Sequence, residues 1–179
     1  MTSSTTPSEH DAVLVGRQLA ALLVAGLAVG EPRGGAMIEE ARRLNAAGDP
    51  RTAAGFYEHI ERCLRAACRV VDVDAYLTLI DDAHREHEGP EAARAGRGLA
   101  TGVVRALSSQ DRGDGALHRI AQSMLSHDSD ATRDAFFAQL ERLLWVAARF
   151  AGADAIDPGS AREQAPGDAA ATPAANRLH

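Results

Sequence analysis

The chain has 179 residues, a formal net charge of −6 and 19 basic side chains, all of them arginine. With no lysine, the chain's own residues cannot form a Schiff base, complete a P-loop or supply a kinase-type phosphate-positioning amine. Its arginines are interleaved with acids, as in Glu39-Glu40-Ala41-Arg42-Arg43 and Glu58-His59-Ile60-Glu61-Arg62, so no basic face stands ready for phosphates and direct nucleic-acid binding is not expected. Abundant alanine and arginine in place of lysine read as the codon bias of a high-GC genome.

Residues 1–9, MTSSTTPSE, are polar and are expected to be a disordered N-terminal segment. From about Asp11 to Val29 the chain is apolar almost all round, broken mainly by Gln18. A helix of that kind belongs at the centre of a bundle or in an oligomer interface, and the centre is the first expectation. Its purely apolar run, Leu19 to Gly30, falls short of the roughly 20 residues a membrane span needs. Ala28-Val29-Gly30 has the small residues of a signal-peptide cleavage site, but Glu9 and Asp11 stand where such a peptide carries positive charge. The expectation is therefore a cytoplasmic protein with no membrane span.

Gly30 to Gly35 forms a break, with Arg33-Gly34-Gly35 leading into a helix that begins near Ala36. Gly48-Asp49-Pro50 marks the next one. From Pro50 to Val71, Ala53, Phe56, Tyr57, Ile60, Leu64, Ala67 and Val71 fall on one helical stripe, and Glu58, Arg62, Arg65 and Arg69 fall opposite. Cys63 and Cys68 share this helix about 140° apart, with Cα atoms on the order of 8–9 Å distant, beyond disulfide reach. Reduced thiols suit the cytoplasm. Gly48-Asp49, Ala53 and Tyr57 are similar to the turn and second helix of a tetratricopeptide repeat. The likeness covers about ten residues and has no second copy at that family's period, so it is read as an ordinary helical hairpin.

After a break at Val71 to Asp74, Tyr76, Ile80, Ala83 and His87 form the apolar stripe of another helix. Its end carries the densest polar cluster, Asp81-Asp82-Ala83-His84-Arg85-Glu86-His87-Glu88. Read as DDxxxE, this resembles the metal-binding motif of class I terpene synthases, but the chain is far shorter and carries no second metal motif. His84 and His87 are three residues apart on one helix face and are the candidate metal ligands, for a divalent transition metal; a third ligand would have to come from elsewhere, such as His59 or His127. A solvated, charged helix end with one hydrogen-bonded histidine is the competing reading and the favoured one, so no cofactor is expected.

The helix from Glu91 to Ser109 contains Gly96, Gly98 and Gly102, which suggests close packing against the N-terminal helix. Ala116 to Leu125 is apolar and is followed by His127-Asp128, faintly similar to the HD phosphohydrolases but without the later aspartate they require. From Ala131 to Ala151, Phe136, Phe137, Leu140, Leu143, Leu144, Ala147 and Phe150 face inward. Trp145 lies off that stripe, where an indole either covers a neighbouring loop or belongs to a contact surface; it is the candidate interface residue. Residues 153–179 read as a disordered Ala/Pro/Gly-rich tail.

The expected fold is all-α, a single-domain bundle of six or seven helices over residues 10–152. No nucleophile, base and oxyanion set assembles, so the expected function is non-enzymatic, through contact with a protein partner or by self-association. The alternative is a metal- or small-ligand-binding bundle, a hydrolase or isomerase, using His84 and His87.

Overall fold

Asp49 starts the most regular helix of the chain: its carboxylate accepts a hydrogen bond from the Arg51 N–H at 3.1 Å and another from the Thr52 hydroxyl, and Pro50 occupies the first helical position, where no N–H is needed. The preceding helix ends on Gly48, whose φ of 68° is the left-handed cap that closes a helix at low cost only for glycine. These two signals explain why the hairpin turns where the sequence places it.

The computed structural model describes residues 9–30, 34–78, 89–109, 115–127 and 129–150. Among them are seven helices and no strand: α1 (Glu9–Val29), α2 (Ala36–Ala47), α3 (Pro50–Val70), α4 (Val73–Thr78), α5 (Glu91–Ser108), α6 (Ala116–His127) and α7 (Asp130–Phe150). The all-α bundle is as expected. Glu9 already belongs to α1; residues 1–8 and 151–179, with the proposed segments at both ends, lie outside the described residues.

The helices form two like halves. α1 packs along α3 and α5 along α7, and α3 and α7 then pack on one another at the centre. The halves are also alike in sequence without a gap. Gly16 and Gly96, Arg17 and Arg97, Ala20 and Ala100, Val24 and Val104, Gly35 and Gly115, Thr52 and Thr132, Phe56 and Phe136, Glu61 and Glu141, and Arg69 and Arg149 are each the same pair of residues 80 positions apart. This internal duplication is invisible at the shorter period of a tetratricopeptide repeat, and three-helix units are its true repeat.

The duplicated glycines set the helix crossings. A Cβ on Gly16 would stand 2.0 Å from the Thr52 carbonyl oxygen, and one on Gly96 would stand 2.1 Å from that of Thr132. Gly55 presses on the Val13 carbonyl in the same way. Each pair therefore meets backbone to backbone, a distance only glycine permits. The packing expected of Gly96 is real, but its partner is α7 and not the N-terminal helix; Gly98 and Gly102 face open space.

Two further expectations are corrected. The bundle centre belongs to α3 and α7, which bury Phe56, Tyr57, Ile60, Leu64, Phe136, Phe137, Leu140 and Leu144 from several sides. The more apolar α1 lies outside, because hydrophobicity ranks a helix without saying how many neighbours it meets. Phe150, placed in the core by periodicity, is 36% exposed at the last turn of α7.

Candidate interaction surface and polar core

The outer face of α1 is built from residues that a surface helix normally lacks. Leu14, Val15, Leu22 and Val29 are exposed, Leu22 at 71% and Val29 at 90%. Val15, Leu22 and Val29 recur every seven residues, which holds them on one stripe of a helix. The charged residue in their midst, Arg17, is turned aside: its guanidinium donates to both carboxylate oxygens of Glu58 on α3 at 2.9 Å. Among the described residues α1 is the one helix long and apolar enough to cross a membrane, and 28% of that stretch is buried. The duplication supplies an internal control. At the equivalent positions α5 carries Ala95, Gly102 and Ser109, so the bundle does not require large apolar side chains there.

At its C-terminal end this face borders a shallow groove of about 380 Å³, lined by Leu22, Leu23, Gly26, Leu27 and Gly30 on the α1 side and by Ala36 and Glu141. Trp145 stands at the same end. Its indole N–H donates to the Gly30 carbonyl at 2.7 Å, its ring packs partly against the core, and the Arg149 guanidinium lies 3.8 Å over the ring. Trp145 thus covers Gly30 at the end of α1, and the off-stripe position read from periodicity has this contact as its physical reason.

The core also holds ionisable and polar groups. Glu141, 1% exposed, accepts hydrogen bonds from the N–H groups of Gly34 at 2.9 Å and Met37 at 3.0 Å, at the start of α2. Glu61, 3% exposed, accepts from Leu117 at 2.8 Å and Gly115 at 3.4 Å, at the start of α6, with Arg65 at 3.9 Å. Each carboxylate meets the unsatisfied N–H groups and the positive end of a helix dipole, which offsets the cost of its burial. Sequence reasoning missed both, since a glutamate caps a distant helix without any local signature.

His59 is fully buried on α3, and neither ring nitrogen has a hydrogen-bond partner among the described residues. Burial, reinforced by Arg62 and Arg17, lowers its pKa to about 4, so the ring is neutral at neutral pH. The equivalent position on α7 is Gln139, equally buried. Tyr57 stacks on His118 with ring centroids 5.3 Å apart, and the Tyr76 hydroxyl donates to the Leu143 carbonyl, pinning α4 to α7. Neither cysteine is in a disulfide, as their spacing requires; burial pushes the Cys63 thiol up to about 11 and raises that of Cys68.

The candidate metal ligands His84 and His87 lie outside the described residues, as does Asp128. Among the described residues no group of three or more His, Cys, Asp or Glu side chains is placed to hold a metal ion. No protein-family model, curated protein or solved structure matches the chain.

Proposed function

We propose that the protein is a non-enzymatic helical scaffold that works through protein contact, and that its contact surface is the outer face of α1 with Trp145 at the rim. The observation that carries this reading is the exposure of Leu22 and Val29 where the duplicated helix has Gly102 and Ser109. Burying a leucine side chain is worth roughly 1.5–3 kcal/mol, so a stripe of this kind is stabilised by any surface that covers it. The occupant that fits is a second copy of α1. The stripe is uncharged and offers a charged partner no complement, whereas it matches itself across a twofold axis. Its seven-residue spacing suits a coiled-coil contact, and Gly26 beside Leu22 lets the two backbones approach. The thiols of Cys63 and Cys68, not joined in a disulfide, support a reducing compartment, the cytoplasm, as its location.

Sedimentation of the full chain at micromolar to submillimolar concentration tests the proposal. The expected result is a dimer that Leu22→Glu converts to a monomer with an unchanged helical circular-dichroism spectrum, because Leu22 is already solvated in the single chain, and with a melting temperature that no longer depends on protein concentration. A monomer throughout overturns self-association. So does Leu22-dependent binding to neutral phospholipid vesicles by a monomeric chain, which would assign the face to a membrane surface.

A further inference from the structure

The twofold likeness of the halves exposes one place where they differ. Between the C-terminal thirds of α3 and α5 lies a cleft of about 610 Å³, lined by Arg65, Cys68, Arg69, Leu107 and Ser108. Moved by 80 positions, the same ground is bounded by Trp145, Ala148, Arg149, Leu27 and Ala28. There Trp145 spreads over the surface, bonds to Gly30 and takes the Arg149 guanidinium on its ring. In the other half residue 65 is an arginine, so no indole covers this ground and Arg69 has no ring at that position to lie on.

We propose that this cleft binds a small organic anion bearing a phosphate or carboxylate group, held by Arg65 and Arg69. The two guanidinium groups are four residues apart on one face of α3, a spacing at which both can donate to one anion. Arg69 is exposed and makes no ion pair among the described residues. Glu61 approaches Arg65 at 3.9 Å and keeps its head group near the cleft, while the carboxylate accepts its short hydrogen bond from Leu117 at 2.8 Å and a longer one from Gly115 at 3.4 Å. Leu107 supplies an apolar wall for the body of the ligand. The Cys68 thiol, raised by burial, stays protonated and brings no negative charge to oppose it. Ser108 is tied down as a donor, its hydroxyl bonding the Arg105 carbonyl at 2.7 Å, so the recognition rests on the arginines.

Pyrophosphate is the probe, at constant ionic strength maintained with sodium chloride. Cys68 lines the cleft and Cys63 is buried, so the reaction of the native protein with a thiol reagent reports on the cleft itself. Binding is expected to slow Cys68 modification several-fold. Calorimetric affinity is expected to fall about tenfold in Arg69→Gln, the loss of one charged hydrogen bond, and to be unchanged in Arg149→Gln. Arg65→Trp, which copies the covered half, is expected to fold and to lose binding altogether. The proposal is overturned if pyrophosphate leaves the Cys68 rate unchanged, or if Arg149→Gln weakens binding as much as Arg69→Gln, which would mark general charge attraction. Should Arg65→Trp not fold, the two glutamine variants decide between these outcomes.

Discussion

Glu61 and Glu141 stand at the same position of two repeated helices, and each closes the start of a short helix belonging to the other half: Glu61 on α3 holds α6, and Glu141 on α7 holds α2. This exchange is what an approximate twofold relation between the halves requires. It also ties the folding of each half to the presence of the other, because α2 and α6 are 12-residue helices, short enough to be marginal alone.

Glu141→Ala is therefore expected to destabilise the protein by about 2 kcal/mol, the cost of leaving the buried Met37 N–H and the part-buried Gly34 N–H without a charged acceptor. Glu61→Ala should cost a similar amount. Urea denaturation followed by circular dichroism measures both. A loss below about 0.5 kcal/mol in either variant, within the range of ordinary surface changes, would show that water replaces the carboxylate without penalty.

The helix crossings predict opposite signs for alanine at neighbouring glycines of α5. Gly96→Ala drives a methyl into the Thr132 carbonyl and should cost about 3 kcal/mol or more, at or beyond the usual range for overpacking. Gly98→Ala and Gly102→Ala meet nothing within 4 Å and should stabilise by up to about 1 kcal/mol each through helix propensity. Melting temperatures of the three variants, compared in one buffer, check the contrast; equal shifts would refute the backbone contact.

Buried His59 makes stability depend on pH. Its folded pKa is about 4 against an unfolded value near 6.5. Between those values the unfolded chain binds a proton that the folded protein does not, so stability is full above pH 6.5 and falls as the pH drops toward 4. His118, lowered in the same direction by burial, adds to this. The contribution of His59 between pH 7.5 and pH 5 is about 2 kcal/mol. His59→Gln, which places the residue of the matching position Gln139, should remove that part of the slope. Denaturation midpoints of the two proteins at both pH values give the difference; parallel pH profiles would contradict it.

Trp145→Phe should keep the apolar cover and lose the hydrogen bond to Gly30, costing about 1 kcal/mol. Trp145 is the single tryptophan of the chain, so its fluorescence reports directly on the junction of α1 and α7. Emission at the wavelength of a fully solvated indole in the native protein would be incompatible with this packing.

Much of the fold was legible from residue order. The breaks at Gly48-Asp49-Pro50 and the apolar stripe of α3 required only local rules, and Ala53, Phe56, Tyr57, Ile60, Leu64 and Ala67 are buried as their spacing demands. His59 and Glu61 were not legible as core residues. Their burial depends on α3 being covered on more than one side, and one helix's periodicity does not contain its neighbours. The candidate site fared alike: the off-stripe placement of Trp145 followed from helical angles, whereas its hydrogen bond to Gly30 links residues far apart in the chain.

Composition and periodicity alone determined that the chain folds as helices, where the break between α2 and α3 falls, and which chemistries its lysine-free set of residues excludes. The duplication also resides in the residue order, at a period of 80 that local reading does not reach. Tertiary structure decided that α1, the most apolar helix, is peripheral, that two glutamates exchange caps between the halves, and that the ground Trp145 covers in one half is, in the other, a cleft lined by Arg65 and Arg69. The physical reason is that local propensity acts within a few residues of the chain, while burial, capping and cleft shape are properties of surfaces brought together from opposite halves.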